Sequence, residues 1–178
     1  TKEKQILNDS IYSISQNYKY GLTLSYSRLF LKRKDYGIAG ISKKSDSHNC
    51  PKEDGIYKID FLTNKVNLIV SLDKIAKFEN NKLFNFSYNR LNHIMINPSG
   101  DKFCFLNRVK NKDGIDVTRL FTADKYGNNL KLIFEGMVSH FDWMDDENLI
   151  AWAGKRKLIN QKSFLFSQKI KKILLKIF

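Results

Sequence analysis

Hydrophobic and polar positions alternate in short runs along most of this chain, and one such pattern occurs twice. Residues 56–70 align without a gap on residues 120–134, and each copy contains an apolar run, an aspartate, a polar turn and a second apolar run. The aspartates, Asp60 and Asp124, stand where their side chains can bond to turn amides. Each copy is therefore predicted to form a β-hairpin, and a hairpin repeated at a fixed offset indicates a modular all-β architecture.

The runs around these hairpins repeat as well. Each round has the order strand, turn with Pro, Asn, Asp or Gly, strand, loop, strand, turn, strand, which is typical of the four-stranded antiparallel blade of a β-propeller. The blades are predicted at about 10–71 and 93–135, with an incomplete third at 140–153. A closed propeller typically has about four or more blades. The predicted fold is therefore an incomplete β-propeller of about two and a half blades over residues 1–153. It is either a fragment of a longer propeller, which we favour, or is completed by another chain.

Residues 154–178 are predicted to be a separate basic tail. Apolar residues at 170, 173, 174, 177 and 178, with lysines between them, have the spacing of an amphipathic helix. Such a helix can make a weak contact with a membrane surface. The alternative is a terminal segment that is disordered or caps the exposed blade edge. Because no transmembrane run or leader is visible, a cytoplasmic location is expected.

The composition shows that the chain is strongly basic, and the sequence contains no recognised catalytic or metal-binding motif. The chain is 42% hydrophobic, as in globular proteins, and its net charge of +13 fits either a polyanionic partner or a genome rich in Lys, Asn and Ile codons. Aromatics and lysines interleave as strand alternation, so a nucleic-acid partner is not expected. Cys50 and Cys104 do not form a metal-type pair. Trp143 and Trp152 are expected to be core aromatics between blades.

Two histidines and a group of polar residues are the candidates for chemistry. His93 and His140 each begin the first strand of a blade, which lines the central channel, so their imidazoles could converge on one metal ion. The alternative is that both are hydrogen-bonded structural residues. Asn107, Arg108 and Arg119 surround the charged loop of the second blade, where an arginine can grip a carboxylate. The alternative there is an ordinary surface ion pair.

Residues from about 55 to 153 resemble the TolB-like propellers, and within these the oligogalacturonate-lyase-like group and related propellers of bacterial polysaccharide loci. The segments that carry the resemblance are 54–60, 93–103, 119–124 and 136–143. The Asn-Pro-Ser-Gly turn that begins at Asn97 is similar to the Ser-Pro-Asp-Gly turn of such blades.

The resemblance implies a channel site in which histidines hold a divalent metal, typically manganese, and a basic residue removes a proton from a uronide before β-elimination. If the family's roles apply to the matching positions of this chain, His93 and His140 are metal ligands and Arg119 is the catalytic or substrate-side residue. Arg108 and Asn107 are then expected to bind the substrate. The family's site has more ligands than these two histidines. The expected function is binding or β-elimination of an acidic oligosaccharide. The alternative is a non-catalytic propeller that binds a protein or a glycan in polysaccharide biosynthesis.

Overall fold

The chain is built of antiparallel strands in two sheets. The computed structural model describes residues 6–7, 9–80, 87–110 and 114–154, together with the backbone of 171–176. The first sheet has the order β1-β2-β3-β4 and comprises β1 (Ser13–Ile14), β2 (Tyr20–Leu24), β3 (Gly55–Asp60) and β4 (Val66–Ser71). Its connections contain the short helices α1 (Tyr26–Phe30) and α2 (Leu72–Ala76) and single 3-10 turns at Lys44–Ser47 and Phe78–Asn80.

The second sheet has the order β10-β9-β8-β7-β6-β5. Its strands are β5 (Arg90–Ile96), β6 (Lys102–Lys110), β7 (Asp116–Asp124), β8 (Lys131–Trp143), β9 (Asn148–Gly154) and β10 (Lys171–Lys176). The predicted all-β class is thus confirmed, as are the four-stranded antiparallel units at both predicted places. That these units are blades of a propeller stays a prediction.

The two repeated hairpins share an irregularity as well as a pattern. In β3–β4 the pairing skips Ile69, and in β7–β8 it skips Ile133, which is the equivalent residue 64 positions later. Such a β-bulge increases the local twist and is a reproducible feature of a fold. Asp60 accepts two turn N–H groups at 3.1 and 2.8 Å, and Asp124 accepts two at 2.9 Å each. The predicted turn role of both aspartates is confirmed.

Strand β8 carries the chain from one layer of the structure to the next. Its 13 residues pair with β7 up to Gly136 and with β9 from Met137 onward. Gly136, at the crossing, has φ +150°, and a Cβ there would lie 2.7 Å from the carbonyl oxygen of Gly154. Glycine therefore lets the strand turn at this point.

Two hydrophobic clusters cover the two faces of the central strands. One face of β5–β7 packs against the first sheet and both helices, and the other face packs against β8 and β9. Both β6 and β7 are buried almost throughout as a result. The first cluster includes Leu22, Leu24, Leu29, Ile56, Ile75, Phe103, Phe105 and Phe121, and the second includes Cys104, Leu106, Leu120, Val138, Phe141, Leu149 and Ala151.

The prediction of a helix in the tail is wrong for residues 171–176. This segment is the strand β10, which pairs with β9 from Lys171 opposite Ala153 to Lys176 opposite Asn148. A short apolar run is ambiguous between helix and strand, and here the hydrogen-bonding edge of β9 decides. The alternative of a tail that caps a sheet edge describes this pairing. The rest of the tail, 155–170 and 177–178, lies outside the described residues. In the described part of the chain, no helix has the length and apolarity needed to cross a membrane.

The turn of the second hairpin rests on the bulge of the first. The carbonyl of Gly127 accepts a hydrogen bond from Lys74 Nζ at 2.9 Å, and a Cβ on Gly127 would lie 2.1 Å from the carbonyl oxygen of Ile69. This close backbone approach joins the two copies, so a side chain at this position should force them apart.

We predict that Gly127→Ala destabilises the fold by about 2 kcal/mol more than Gly114→Ala, because overpacking at a contact typically costs about 1–3 kcal/mol. Gly114 is a matched control, since its φ of +76° is close to the +79° of Gly127 and nothing lies within 4 Å of its added Cβ. Both variants carry the same left-handed cost. Denaturant unfolding of the two variants measures the difference, and equal stabilities would contradict the proposed junction.

Candidate anion-binding site

A cavity of about 500 Å³ opens between the central strands and the β8–β9 layer. Arginines and one acid line its first side, and the exposed edge of β8–β9 lines the second. The lining residues are Arg33, Arg90, Arg108, Asp116, Val117, Thr118, Gly136, Met137, Val138, Ser139, Trp152, Ala153 and Gly154.

The strand register places two of these arginines side by side. Arg90 of β5 is paired directly with Arg108 of β6, which is paired with Thr118 of β7. Directly paired residues project from the same face of a sheet, with their Cβ atoms about 5 Å apart. Like charges in this position repel and destabilise the pair. Two guanidinium groups are thus held together on the wall of the cavity.

Burial makes this repulsion more costly. Desolvation lowers the pKa of both Arg90 and Arg108, and the nearby carboxylate of Asp116 partly offsets it in each. The Arg108 guanidinium donates from Nε to Asn92 Oδ1 and from Nη1 to Thr118 Oγ1, both at 3.3 Å. Both arginines nevertheless stay charged at neutral pH, as arginine does in proteins.

Unsatisfied hydrogen-bonding atoms concentrate next to this pair. Arg90 Nε, Asn92 Nδ2 and His93 Nδ1 are the buried side-chain atoms that lack a hydrogen-bond partner in the described part of the chain. All three belong to a four-residue stretch of β5. Because buried polar groups are normally satisfied, such a concentration requires an explanation. A ligand rich in acceptor atoms would bring partners to the Arg90 guanidinium, which lines the cavity.

The two candidate histidines share an unusual backbone conformation. His93 and His140 have φ of +53° and +50°, and each lies at a register shift in its strand pair, β5–β6 and β8–β9. The backbone N–H of His93 donates to the Tyr12 hydroxyl at 2.9 Å. Left-handed conformations of residues other than glycine cost roughly 1–3 kcal/mol and cluster at functional sites. The structure therefore places both histidines at matching bulges, as expected of equivalent residues.

The surroundings of His93 are cationic. Desolvation lowers its pKa first, and the charges of Arg108, Arg33 and His140 lower it further. His93 is therefore neutral at pH 7, and it lies within electrostatic range of Arg108, Arg33 and His140. The described residues contain no group of three His, Cys, Asp or Glu side chains that could hold a metal ion. The charges of Arg108 and Arg33 near His93 oppose a cation, so the manganese expected from the resemblance does not fit these residues.

Arg119 and Asn107 lie on the opposite face of the sheet from this cavity. Arg119 is only 1% exposed, and its Nε and Nη2 donate to Asn107 Oδ1 at 3.0 and 2.7 Å. Nη2 also donates to the carbonyl of Ile75 at 3.2 Å, and desolvation lowers the pKa of Arg119 to about 10. The expectation that Arg119 lies at an open channel mouth is therefore not met. The residue instead ties α2 to the central strands.

The structure thus divides the sequence-derived candidates into two groups. Arg108, His93 and His140 lie near one another, whereas Asn107 and Arg119 belong to the core on the other face. Trp152, expected in the core, is 48% exposed and lines the cavity. Arg33 and Arg90 were not singled out from the sequence, since no local motif marks them and only the strand pairing brings Arg90 beside Arg108.

Comparisons with protein-family models, curated proteins and solved structures find nothing that matches this chain.

We predict that His140→Gly is more stable than His140→Ala by about 1 kcal/mol. Both substitutions remove the same exposed side chain, but only glycine relieves the left-handed conformation, which costs roughly 1–2 kcal/mol for other residues and is partly offset by the greater unfolded-state freedom of glycine. Chemical denaturation measures the difference. A glycine variant no more stable than the alanine variant would show that the bulge is not strained.

The buried pair of Asn107 and Arg119 should behave as structural. We predict that Asn107→Leu destabilises the protein by about 3 kcal/mol, because it leaves a buried guanidinium without its main acceptor. The exposed Asn67→Leu in β4 is the control and should stay within about 0.5 kcal/mol of the parent. Similar stability losses in the two variants, read from thermal melts, would refute the structural role.

Proposed function

We propose that this chain is a carbohydrate-related, propeller-type protein that binds an acidic oligosaccharide in the cavity described above. One observation carries the proposal. Two arginines, Arg90 and Arg108, are paired side by side on the cavity wall, and neither Arg90 Nε nor Nδ2 of the buried Asn92, two residues further along β5, has a hydrogen-bond partner in the described structure. An anionic ligand in the cavity offsets the repulsion and brings acceptor atoms to Arg90, which lines the cavity.

The chemistry of the two walls favours a sugar acid over a simple anion. A carboxylate accepts charge-assisted hydrogen bonds from an arginine fork, and these are about twice as strong as neutral ones. The opposite wall carries Trp152 and Met137, both partly exposed, and presents apolar surface. Ligand sites typically combine apolar and aromatic walls with a few polar anchors. A pyranose ring with a carboxylate meets both requirements, because one of its faces is apolar.

The architecture supports the propeller part of the proposal. The two hairpins share their register and their bulge, and the histidines at 93 and 140 occupy matching bulges in successive units. The tyrosine at position 12, next to β1, contacts the backbone of His93 in β5, so the first strands of neighbouring units lie close together. In a propeller, the first strands of adjacent blades surround the axis in this way.

Binding without cleavage is the form of the function that we favour over β-elimination. Arg119, the base expected from the resemblance, is bonded to Asn107 and Ile75 on the far face of the sheet. His93, whose pKa is lowered by burial, would be the alternative base if elimination occurs. The alternative partner is a protein that presents an acidic side chain to the same arginines.

Calorimetric titration with oligogalacturonate, and with a neutral galactose oligomer of the same length, tests this proposal. We expect the acidic oligomer to bind and the neutral one not to. Arg90→Met and Arg108→Met should each weaken binding by about tenfold or more, since losing a hydrogen bond to a charged group costs about 1.5–3 kcal/mol. Lys125→Met is the charge-matched control, because this lysine lies in the turn of the second hairpin and does not line the cavity.

Two further readouts separate a ligand site from a structural arginine pair. Arg90→Met should leave the stability of the unliganded protein unchanged or raise it, because it removes a like-charge contact. Ultraviolet absorbance of the mixture reports unsaturated sugar products, and none is expected. Equal affinity for the neutral oligomer would defeat the proposal, whereas formation of the unsaturated product would establish the lyase alternative.

A further inference from the structure

The two arginines of the cavity belong to a longer row of residues across the sheet. Arg90 is paired with Arg108, Arg108 with Thr118, and Thr118 with Gly136, on the successive strands β5 to β8. Directly paired residues project from the same face of a sheet, and every residue of this row lines the cavity. Thr118 therefore lies beside the arginine pair, and on its other side Gly136 has no side chain that could cover it.

The Thr118 hydroxyl has a hydrogen that its observed contact does not use. Thr118 is 6% exposed, and its Oγ1 accepts a hydrogen bond from Arg108 Nη1 at 3.3 Å. A guanidinium group only donates, so this contact occupies a lone pair of the hydroxyl and leaves the hydroxyl hydrogen for another acceptor. In the described part of the chain, no atom accepts a hydrogen bond from Thr118 Oγ1. The hydrogen is therefore available to a ligand in the cavity.

One oxygen atom of a ligand can contact both groups at once. Arg108 Nη1 and Thr118 Oγ1 are 3.3 Å apart, so a single acceptor can lie at an ordinary hydrogen-bond distance, about 2.7–3.0 Å, from each of them. Nη1 carries a second hydrogen for this purpose, because each terminal nitrogen of a guanidinium group is an NH₂. The bond from Arg108 Nε to Asn92 Oδ1, also at 3.3 Å, helps to hold the guanidinium in this position.

We propose that Thr118 is a ligand-binding residue of this site, and that its hydroxyl donates a hydrogen bond to the carboxylate oxygen that Arg108 Nη1 also binds. This inference rests on the proposed function, because it concerns the ligand of the same site. A hydrogen bond to an ionised acceptor is roughly twice as strong as a neutral one. The β-branched side chain of threonine is stiff in a strand, so the donor is in place before the ligand arrives.

Calorimetric titration of the whole chain with oligogalacturonate tests the role of the hydroxyl. Thr118→Val keeps the branched shape without the hydroxyl and should weaken binding by about fivefold or more. Thr118→Ser keeps the hydroxyl and should stay within about threefold of the wild type, since its hydrogen bond is retained. Thr122→Val is the matched control and should bind as the wild type does. Thr122 is on the same face of β7 and is 3% exposed, but it does not line the cavity.

The Arg108→Met background separates a donor to the ligand from a residue that only positions Arg108. A residue that acts through Arg108 has no effect once Arg108 is absent, whereas a direct donor keeps its effect. We therefore expect Thr118→Val to weaken the binding of the Arg108→Met variant by a further factor of about three or more, read by ligand-observed magnetic resonance.

Thermal melts show which variants are folded, and Thr118→Ala, which also lacks the hydroxyl, replaces the valine variant if that one is not. Unchanged affinity without the hydroxyl, a serine variant as weak as the valine variant, or no further loss in the Arg108→Met background overturns the donor role of Thr118 while anion binding itself stands. If the wild type binds oligogalacturonate no more tightly than the neutral galactose oligomer, the proposed function falls and this inference falls with it.

Discussion

The pairing register of β6 on β7 is the constraint on which the rest of the structure depends. Arg108 is paired with Thr118, and the next pair along the strands is Asn107 with Arg119. Successive pairs project from opposite faces, so this register sends one arginine to the cavity and the other into the core between the sheets. A slip of β6 by one residue would turn Arg108 into the apolar core and take Asn107 away from Arg119. The two hydrogen bonds from Arg119 to Asn107 resist such a slip, because they hold neighbouring positions on adjacent strands together.

Much of the fold could be predicted because its signals are local. Alternation, turn residues and the ungapped match of two hairpins lie within short windows of sequence, and the structure repeats them down to the skipped residues Ile69 and Ile133. Strand β10 could not be predicted in the same way. Its helix-like spacing is outweighed by the edge of β9, which is distant in the sequence, so the deciding interaction is tertiary. The sequence indicated that the two histidines are equivalent, but it did not predict the bulges at which they lie.

The site could be predicted only in part, for a related reason. A sequence shows that Asn107, Arg108 and Arg119 are near one loop, but it does not show which face of the sheet each occupies. Because successive side chains of a strand point to opposite faces, Asn107 and Arg108 lie on different faces of the sheet. The pairing of β6 with β7 then places Arg119 beside Asn107 and Thr118 beside Arg108. Arg90 could not be predicted as a site residue, because it lies 18 positions before Arg108 and becomes its neighbour only through the β5–β6 pairing. The residues of a site on adjacent strands are defined by register, and register requires the structure.

Departures from ordinary packing rules concentrate in one region, and their nature shows which kind of ligand suits it. Paired like charges, buried donors without acceptors and left-handed histidines each cost stability, and natural sequences keep such features mainly where function requires them. A metal cation would bring no acceptors to Arg90 Nε and Asn92 Nδ2 and would add a positive charge beside Arg108. An anion in the cavity instead neutralises the guanidinium charges and brings acceptor atoms to Arg90. The His93 imidazole near Arg108 is neutral, and its buried Nδ1 lacks a partner in the described structure. In the proposal, the two histidines are neighbours of the anion site and not metal ligands.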